Sequence, residues 1–456
     1  MTSFDLIIIG AGPGGYHSAE LASKAGLTVA IFEGREIGGV CLNEGCVPSK
    51  SLLYSAKMFD QANHLDSYGI TLNGNVTASQ EAIIKRKDFV VTRLVRGIKA
   101  QLKASNVTVI NGYAVIKAKE ADKFVVNCND QDYFSDYLLV ASGSSCLVPP
   151  IEGLVQQIEK GFVLTNREIL NLTVLPEHLA IIGGGVIGLE MACYFSTLNC
   201  KVTVIEMLDR IANPIDLQTV QALQKVLAQK NVEFKLGCKV VSFEDGKVNY
   251  VEGEVANSVA CDKVLLSIGR VANVSGFGLE NLNITLARRA IVTDNQMRTN
   301  VPNCYAIGDC NGKVMLAHTA YREGEVAVNT ICGRPDAIDY TAIPSVIYTF
   351  PEVASVGESQ QSAQEKCLDY KLVELSLAYS GRYVAENAKV NGFCRVLLSN
   401  TTNKLIGMHI FGTYASEFIV VASNLINLNV DLEQIKRLVF PHPTVCEIIH
   451  EAVYKF

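Results

Sequence analysis

The chain has 456 residues, about three times a usual domain of roughly 150, so two to four domains are expected and a small binding module is excluded. Its 49% hydrophobic and 19% charged composition suits large buried cores and excludes a disordered or low-complexity chain. Forty Lys and Arg against 46 Asp and Glu give a net charge of −6, and the chain is read as having no basic run anywhere, so nucleic acid is not an expected partner.

The N-terminal apolar run Leu6–Ile9 follows Asp5, lacks a basic flank and enters a glycine-rich turn, so it reads as a strand and not as a secretory signal. No apolar stretch approaches the roughly 18 residues of a membrane span. Fourteen cysteines spread over this length read mostly as buried core residues of a cytoplasmic protein.

Asp5–Ile9, then Gly10-Ala11-Gly12-Pro13-Gly14-Gly15, a helical pattern to Gly26 and the strand Thr28–Phe32 ending in Glu33 form a strand, glycine turn, helix, strand unit. Gly10 would make the tight turn, Gly12 would admit a pyrophosphate and Gly15 would let helix and strand pack, while Glu33 would receive ribose hydroxyls. Directly after it lies Gly38-Gly39-Val40-Cys41-Leu42-Asn43-Glu44-Gly45-Cys46-Val47-Pro48-Ser49-Lys50. Cys41 and Cys46 are close enough for a catalytic disulfide, with two core cysteines or half a metal site as alternatives; no partner ligands at zinc spacing lie nearby, so no metal is expected. Lys50 falls four residues past Cys46, where a helix would bring its ammonium to the same face to stabilise a thiolate; otherwise it is a solvated helix residue.

A strand over Tyr137–Ala141 ends in the turn Ser142-Gly143-Ser144, and Val148-Pro149-Pro150 marks a boundary. The fingerprint then returns: strand Leu179–Ile182, glycines Gly183, Gly185 and Gly188, a helix through Leu198, and strand Lys201–Ile205 ending in Glu206. Gly10 to Glu33 and Gly183 to Glu206 span the same 23 positions, which makes chance an inadequate explanation. A carboxylate at the second strand's end repels a 2′-phosphate, so Glu206 favours NAD over NADP. The strand Lys263–Ile268 closes this region at Gly269-Arg270, and after a further boundary around Asp339–Pro344 the tail carries alternating apolar runs, Phe393–Leu398 and Leu405–Phe411. Near its end stands Phe440-Pro441-His442-Pro443-Thr444-Val445-Cys446-Glu447; taken alone, His442 reads as structural more readily than as catalytic.

Two dinucleotide fingerprints around a Cys-x4-Cys pair resemble the FAD-dependent pyridine nucleotide-disulphide oxidoreductases from Asp5 to the tail, and within them CLNEGCVPSK resembles the dihydrolipoyl dehydrogenases more than the glutathione reductases. The resemblance implies an α/β fold with two Rossmann-like domains and a C-terminal α+β dimerisation domain, divided as FAD-binding 1–148, NAD-binding 149–269, a central 270–340 completing the FAD site, and an interface domain 341–456. It implies FAD held at Gly10, Gly12, Gly15, Glu33, Lys50, Ser142 and Gly143. TNVPNCYAIGDC is similar to the family's second FAD motif, with Asp309 on the ribityl side, and MLAHTAYREG to the segment whose backbone at Ala317 and His318 meets the flavin ring. NAD is assigned to Gly183, Gly185, Gly188, Glu190, Glu206 and Gly269. Cys41 and Cys46 become the redox pair, aided by Lys50, and His442 the acid/base oriented by Glu447 and reaching the partner subunit's pair in a homodimer.

The implied activity is oxidation of dihydrolipoyl groups on a carrier protein with reduction of NAD⁺; the alternative is an NAD(P)H-dependent reductase of glutathione or another small disulfide. Thr319 stands where the family often has lysine, Ala272 where proline often follows Gly-Arg, and Thr413-Tyr414-Ala415-Ser416 replaces a more usual Gly-Pro stretch. These departures bear on interface detail and carrier choice, not on the reaction type. Neither a membrane nor nucleic acid is an expected partner.

Overall fold

The structure is a computed structural model and describes residues 2–389 and 391–456. The chain divides into two compact units, one made of Met1–Ser51, Ile84–Leu147 and Gly269–Ile338, the other of Leu52–Ile83, Val148–Ile268 and Asp339–Phe456. The fold is mixed α/β, with one parallel dinucleotide-type sheet in each unit.

In the first unit, strand β1 (Thr2–Ile9), helix α1 (Pro13–Lys24) and strand β2 (Val29–Glu33) form the first right-handed crossover. β1 lies between β2 and the strand Gln131–Val140, parallel to both, which is why Leu6, Ile7 and Ile8 are wholly buried and the run is apolar without alternation. Thr108–Asn111 extends the sheet on the far side of β2, and Cys304–Ala306 joins Gln131–Val140 in parallel. Val115–Glu120 and Lys123–Cys128 add an antiparallel hairpin beyond Gln131–Val140. Helices α2 (Gly39–Glu44), α3 (Cys46–Ala62) and α4 (Gln80–Ala104) follow β2.

The helix Ala317–Ile331 lies along α1 at a separation only glycine permits. A Cβ on Gly324 would sit 2.4 Å from Ser18 Oγ, and one on Gly14 would sit 3.1 Å from the Ala320 carbonyl oxygen. That contact fixes the start of the helix, where Ala317 and His318 stand, over the first fingerprint. Buried Glu323 on the same helix accepts the Gly308 N–H at 2.5 Å, holding the turn that carries Asp309.

In the second unit, five parallel strands run in the order Val232–Lys235, Lys201–Ile205, His178–Ile182, Lys263–Leu266 and Val163–Leu164. An antiparallel three-stranded sheet spans Cys238–Ala260, and the tail forms a five-stranded antiparallel sheet with the helix Ala415–Asn427 packed on it. The two tail strands expected from their alternation, Phe393–Ser399 and Leu405–Gly412, are neighbours in that sheet. Both are buried almost throughout, because their polar positions face a second packing layer instead of water. Arg395, only 4% exposed, meets Asp216 at 3.2 Å and Glu374 at 2.6 Å, and buried His409 lies within 2.9 Å of the Glu358 carbonyl. Burial pushes the His409 imidazole below its ordinary range, so it stays neutral there. Among the described residues no helix is long and apolar enough to cross a membrane.

Ser18 Oγ is buried without a hydrogen-bond partner, so the α1 contact at Gly324 is a matter of volume alone. Gly324→Ala should destabilise the protein by about 1–3 kcal/mol through overpacking. Adding Ser18→Ala should recover most of that loss, as thermal unfolding of the single and double variants would show.

Candidate active site

The two fingerprints are built alike down to individual hydrogen bonds. Gly10 and Gly183 both adopt φ of +102°, and a Cβ on either would strike a carbonyl oxygen, Ala141 O at 2.3 Å or Ser267 O at 2.5 Å. The third glycines are equally closed, with a Cβ on Gly15 falling 1.9 Å from Gly10 O and one on Gly188 falling 2.2 Å from Gly183 O. The middle glycines differ: a Cβ on Gly12 would find its nearest atom at 4.0 Å, and one on Gly185 none within 4 Å. Each middle glycine is the N-cap of its helix with no side-chain cap bond, so the first-turn N–H groups open onto that free space.

The two acids repeat as well. Glu33 accepts the N–H of Ala11 at 2.8 Å and of Arg35 at 2.8 Å. Glu206 accepts the N–H of Gly184 at 2.6 Å and of Leu208 at 2.8 Å. In both copies the carboxylate bridges the glycine turn to the loop after the second strand, which fixes it at the strand end where a ribose would lie.

Cys41 and Cys46 occupy the junction of α2 and α3, on either side of Gly45. Gly39 presses this segment onto the first fingerprint, since a Cβ there would lie 2.7 Å from Gly12 Cα, and the Gly38 N–H donates to Ala11 O at 2.8 Å. Asn43 Nδ2 donates to the carbonyls of Ile37 and Gly39 at 3.1 and 2.9 Å, and Arg35 grips Glu44 with both guanidinium nitrogens. The pair stands as two thiols, Cys46 exposed and Cys41 half-buried. A hydrogen bond with Cys46 and then burial push the Cys41 thiol well up, while the Lys50 ammonium pulls it down. Lys50 lies on α3, four residues past Cys46. Tyr16 and Tyr321 hydrogen-bond through their hydroxyls and feel the charge of both cysteines; burial first of all raises both phenols.

Asp309 is held by side chains that sequence spacing does not single out. Ser144 Oγ donates to its carboxylate, and Arg270 Nε donates to Ser144 Oγ at 2.7 Å while standing 4.0 Å from Asp309. These residues meet because Ser144–Cys146 pairs antiparallel with Arg270–Ala272, which sets Ala272 opposite Ser144. Ser142 Oγ donates to Asn273 O at 2.7 Å and Asn273 N–H to Gly143 O at 2.9 Å, locking that turn. Gly269, expected with the second fingerprint, is the first residue of a segment belonging to the first unit, whereas Gly183, Gly185, Gly188, Glu190 and Glu206 belong to the second. Buried Glu190 accepts the Tyr348 N–H at 3.0 Å. Thr319 is fully buried with no partner for its hydroxyl among the described residues. Thr413 Oγ1 donates to Asn387 at 2.7 Å and Tyr414 turns at φ of +68°, so this stretch caps the helix Ala415–Asn427 without Gly or Pro.

In the tail, His442 Nδ1 lies 2.6 Å from Glu447 Oε1, and Glu447 Oε2 accepts the Thr444 N–H at 2.6 Å. The imidazole side chain is 79% exposed, which leaves its other nitrogen open. Burial alone would raise the Glu447 carboxyl, but the Thr444 and His442 hydrogen bonds outweigh it and hold it below the ordinary glutamate value. The stabilisation this gives is present above the unfolded glutamate value and is lost only as pH falls through the lower folded one. Among the described residues no cluster of three His, Cys, Asp or Glu could hold a metal ion.

Residues 4–324 match the family model described as pyridine nucleotide-disulphide oxidoreductase, and residues 343–453 match the dimerisation domain of the same family. The chain belongs to this family. A dihydrolipoyl dehydrogenase of Mycoplasma pneumoniae is 35% identical over 456 residues, covering 99% of this chain and 98% of the relative; one of Chlamydia muridarum is 37% identical, covering 99% and 96%. The crystal structure of LpdA from Mycobacterium tuberculosis superposes with a TM-score of 0.90 at 25% identity, covering 100% of this chain and 99% of that one. The oxidoreductase fold and the dimerisation domain are thus those of the family, and the chain assembles as a homodimer through the latter.

The open side of Gly12 separates folding from cofactor binding. Gly12→Ala should fold with nearly the parental unfolding midpoint but bind FAD far more weakly, whereas Gly15→Ala should fail to fold stably. Equal flavin absorbance in purified Gly12→Ala and parent would refute close approach of a dinucleotide at that residue.

Proposed function

We propose that this protein oxidises dihydrolipoyl groups of a carrier protein to the cyclic disulfide and reduces NAD⁺ to NADH, with FAD as its bound cofactor. The observation that carries this reading is the Cys41–Cys46 pair seated directly on the first glycine turn, which joins a thiol-exchange centre to a dinucleotide site. The full-length relatives named dihydrolipoyl dehydrogenase support the substrate, and Glu206 supports NAD over NADP.

In this reading the first unit holds FAD at Gly10, Gly12, Gly15, Glu33, Ser142, Gly143, Asp309 and the backbone of Ala317 and His318. Gly183, Gly185, Gly188, Glu190 and Glu206 hold NAD. The segments divide as FAD-binding 1–148, NAD-binding 149–269, central 270–340 and interface 341–456. The middle glycines fit the assignment, since each leaves free the space a pyrophosphate would fill. FAD, when bound, supplies the two-electron relay that converts thiol oxidation into hydride transfer to nicotinamide.

The chain's own residues manage thiols and protons. His442, oriented by Glu447, takes a proton from the dihydrolipoyl dithiol, and the thiolate so formed attacks Cys41 Sγ of the oxidised pair. The Cys41–Cys46 bond breaks and Cys46 leaves as a thiolate, its charge eased by Lys50. The second substrate thiol then displaces Cys41, closing the lipoyl ring and leaving the pair reduced by two electrons. His442 serves the pair of the partner subunit, so the homodimer is the working form, in the reducing cytosol where such a pair stays catalytic.

Cys46→Ser should abolish NAD⁺ reduction by dihydrolipoamide while FAD remains bound; unchanged turnover would refute the disulfide route. His442→Gln should slow the dithiol half-reaction by about 10²–10⁴-fold in rapid-mixing flavin spectra. Steady-state rates should favour NAD⁺ over NADP⁺, and Glu206→Arg should narrow that gap.

A further inference from the structure

Helix α4 carries a charge pattern that the composition conceals. Helix α4 carries Lys85, Arg86, Lys87, Arg93, Arg96, Lys99 and Lys103 against the two acids Glu81 and Asp88, in a chain whose net charge is −6. Lys85-Arg86-Lys87 is itself a short basic run that the overall count passes over. At 100° per residue, Lys85, Phe89, Arg93, Arg96 and Lys103 fall within one quarter of the helix circumference. All five are exposed, Phe89 at 66%. Both acids stand in the N-terminal part of the helix, where Asp88 pairs with buried Lys87 at 2.6 Å, and from Phe89 to Ala104 the helix carries bases and no acid. Among the described residues Arg93, Arg96 and Lys103 have no ion-pair partner.

The helix is tied to the redox segment at two levels, by bases that flank the stripe. Arg86 Nη1 donates to Ser51 Oγ at 2.9 Å, one residue past Lys50 on α3, and Lys99 lies 3.8 Å from Glu36, just ahead of Gly38. Both tethers reach the stretch of chain that carries Cys41 and Cys46.

We propose that the exposed basic face of α4, with Phe89 at its centre, docks the protein that delivers the dihydrolipoyl group, and that this carrier presents an acidic surface there. The proposal rests on the dihydrolipoyl reading above and adds how the macromolecular substrate is recognised. Exposed cations on a rigid helix, Arg93, Arg96 and Lys103 above all, attract an acidic domain over about a Debye length and raise its encounter rate, and the exposed ring supplies apolar contact once it has docked. A free dihydrolipoamide molecule is neutral and gains nothing from the stripe.

The test compares two substrates on the FAD-loaded dimer: free dihydrolipoamide, and an isolated dihydrolipoylated carrier domain of net negative charge. Arg93→Glu/Arg96→Glu, and the milder Arg93→Gln/Arg96→Gln, change exposed side chains and should retain FAD and the parental unfolding midpoint. The charge-reversed variant should lose about 10-fold or more of kcat/KM for the carrier domain at low ionic strength, chiefly through KM, with the Gln variant between. Added salt should weaken carrier turnover by the parent and barely affect the Glu variant, while kcat/KM for free dihydrolipoamide should match the parent throughout. Equal carrier kinetics in parent and variants would overturn the proposal, as would an equal loss on both substrates. So would variants that keep carrier turnover but lose binding to duplex DNA or anionic vesicles. Absence of turnover of free dihydrolipoamide by the parent would instead overturn the dihydrolipoyl reading, and this proposal with it.

Discussion

Everything at the redox end of the molecule depends on how closely backbone can approach backbone at the first glycine turn. A single Cβ at Gly15 would sit 1.9 Å from a carbonyl oxygen, and one at Gly39 would sit 2.7 Å from Gly12 Cα. No rotamer change can relieve contacts with main chain, so these positions accept nothing larger than hydrogen. Because they are closed, the N-terminus of the first fingerprint's helix and the segment that carries the two cysteines share one wall. Electron transfer between a thiol pair and a cofactor needs that proximity, and here it is supplied by sterics before any side-chain chemistry enters.

The second unit repeats the same solution without the cysteines. Glu33 and Glu206 accept equivalent pairs of backbone N–H groups, so each acid stiffens its own turn and is held at a fixed place at the strand end. A carboxylate anchored by two N–H donors is not free to swing away from an incoming 2′-phosphate, so in the proposed reading Glu206 would disfavour NADP by its position as well as by its charge. The tail uses a related device: Glu447 divides its two oxygens between His442 and the Thr444 N–H, so the ring it orients is tied to the backbone.

Polar groups inside the structure fall into two kinds. Glu323 on the Gly308 N–H and Ser144 with Arg270 around Asp309 are satisfied pairs that brace a turn. Ser18 and Thr319 bury hydroxyls with no partner in the tightly packed region around α1 and the helix Ala317–Ile331, where close helix contact decides which residues fit. Thr319 shows that the departure from lysine at this position is absorbed by burial of a smaller side chain and not by a new ion pair.

The sequence by itself determined the two fingerprints, the cysteine pair, the position of Lys50 on the helix after it and the spacing of His442 from Glu447. Each of these is local: a glycine at a turn, a helical interval of four, a motif of six residues, with the physical requirement and the residues that meet it lying together in the chain. The tertiary structure alone decided which distant residues serve them. Ser144, Arg270 and Asp309 meet through pairing of strands more than a hundred residues apart, and Gly269 falls in the first unit although it follows the second fingerprint's last strand. The tail strands' polar positions point into a buried layer because Asp216 waits there to pair with Arg395. The basic face of α4 likewise exists only once the helix forms, because bases three, seven and eight residues apart share a side at 100° per residue and no side at all in an unfolded chain.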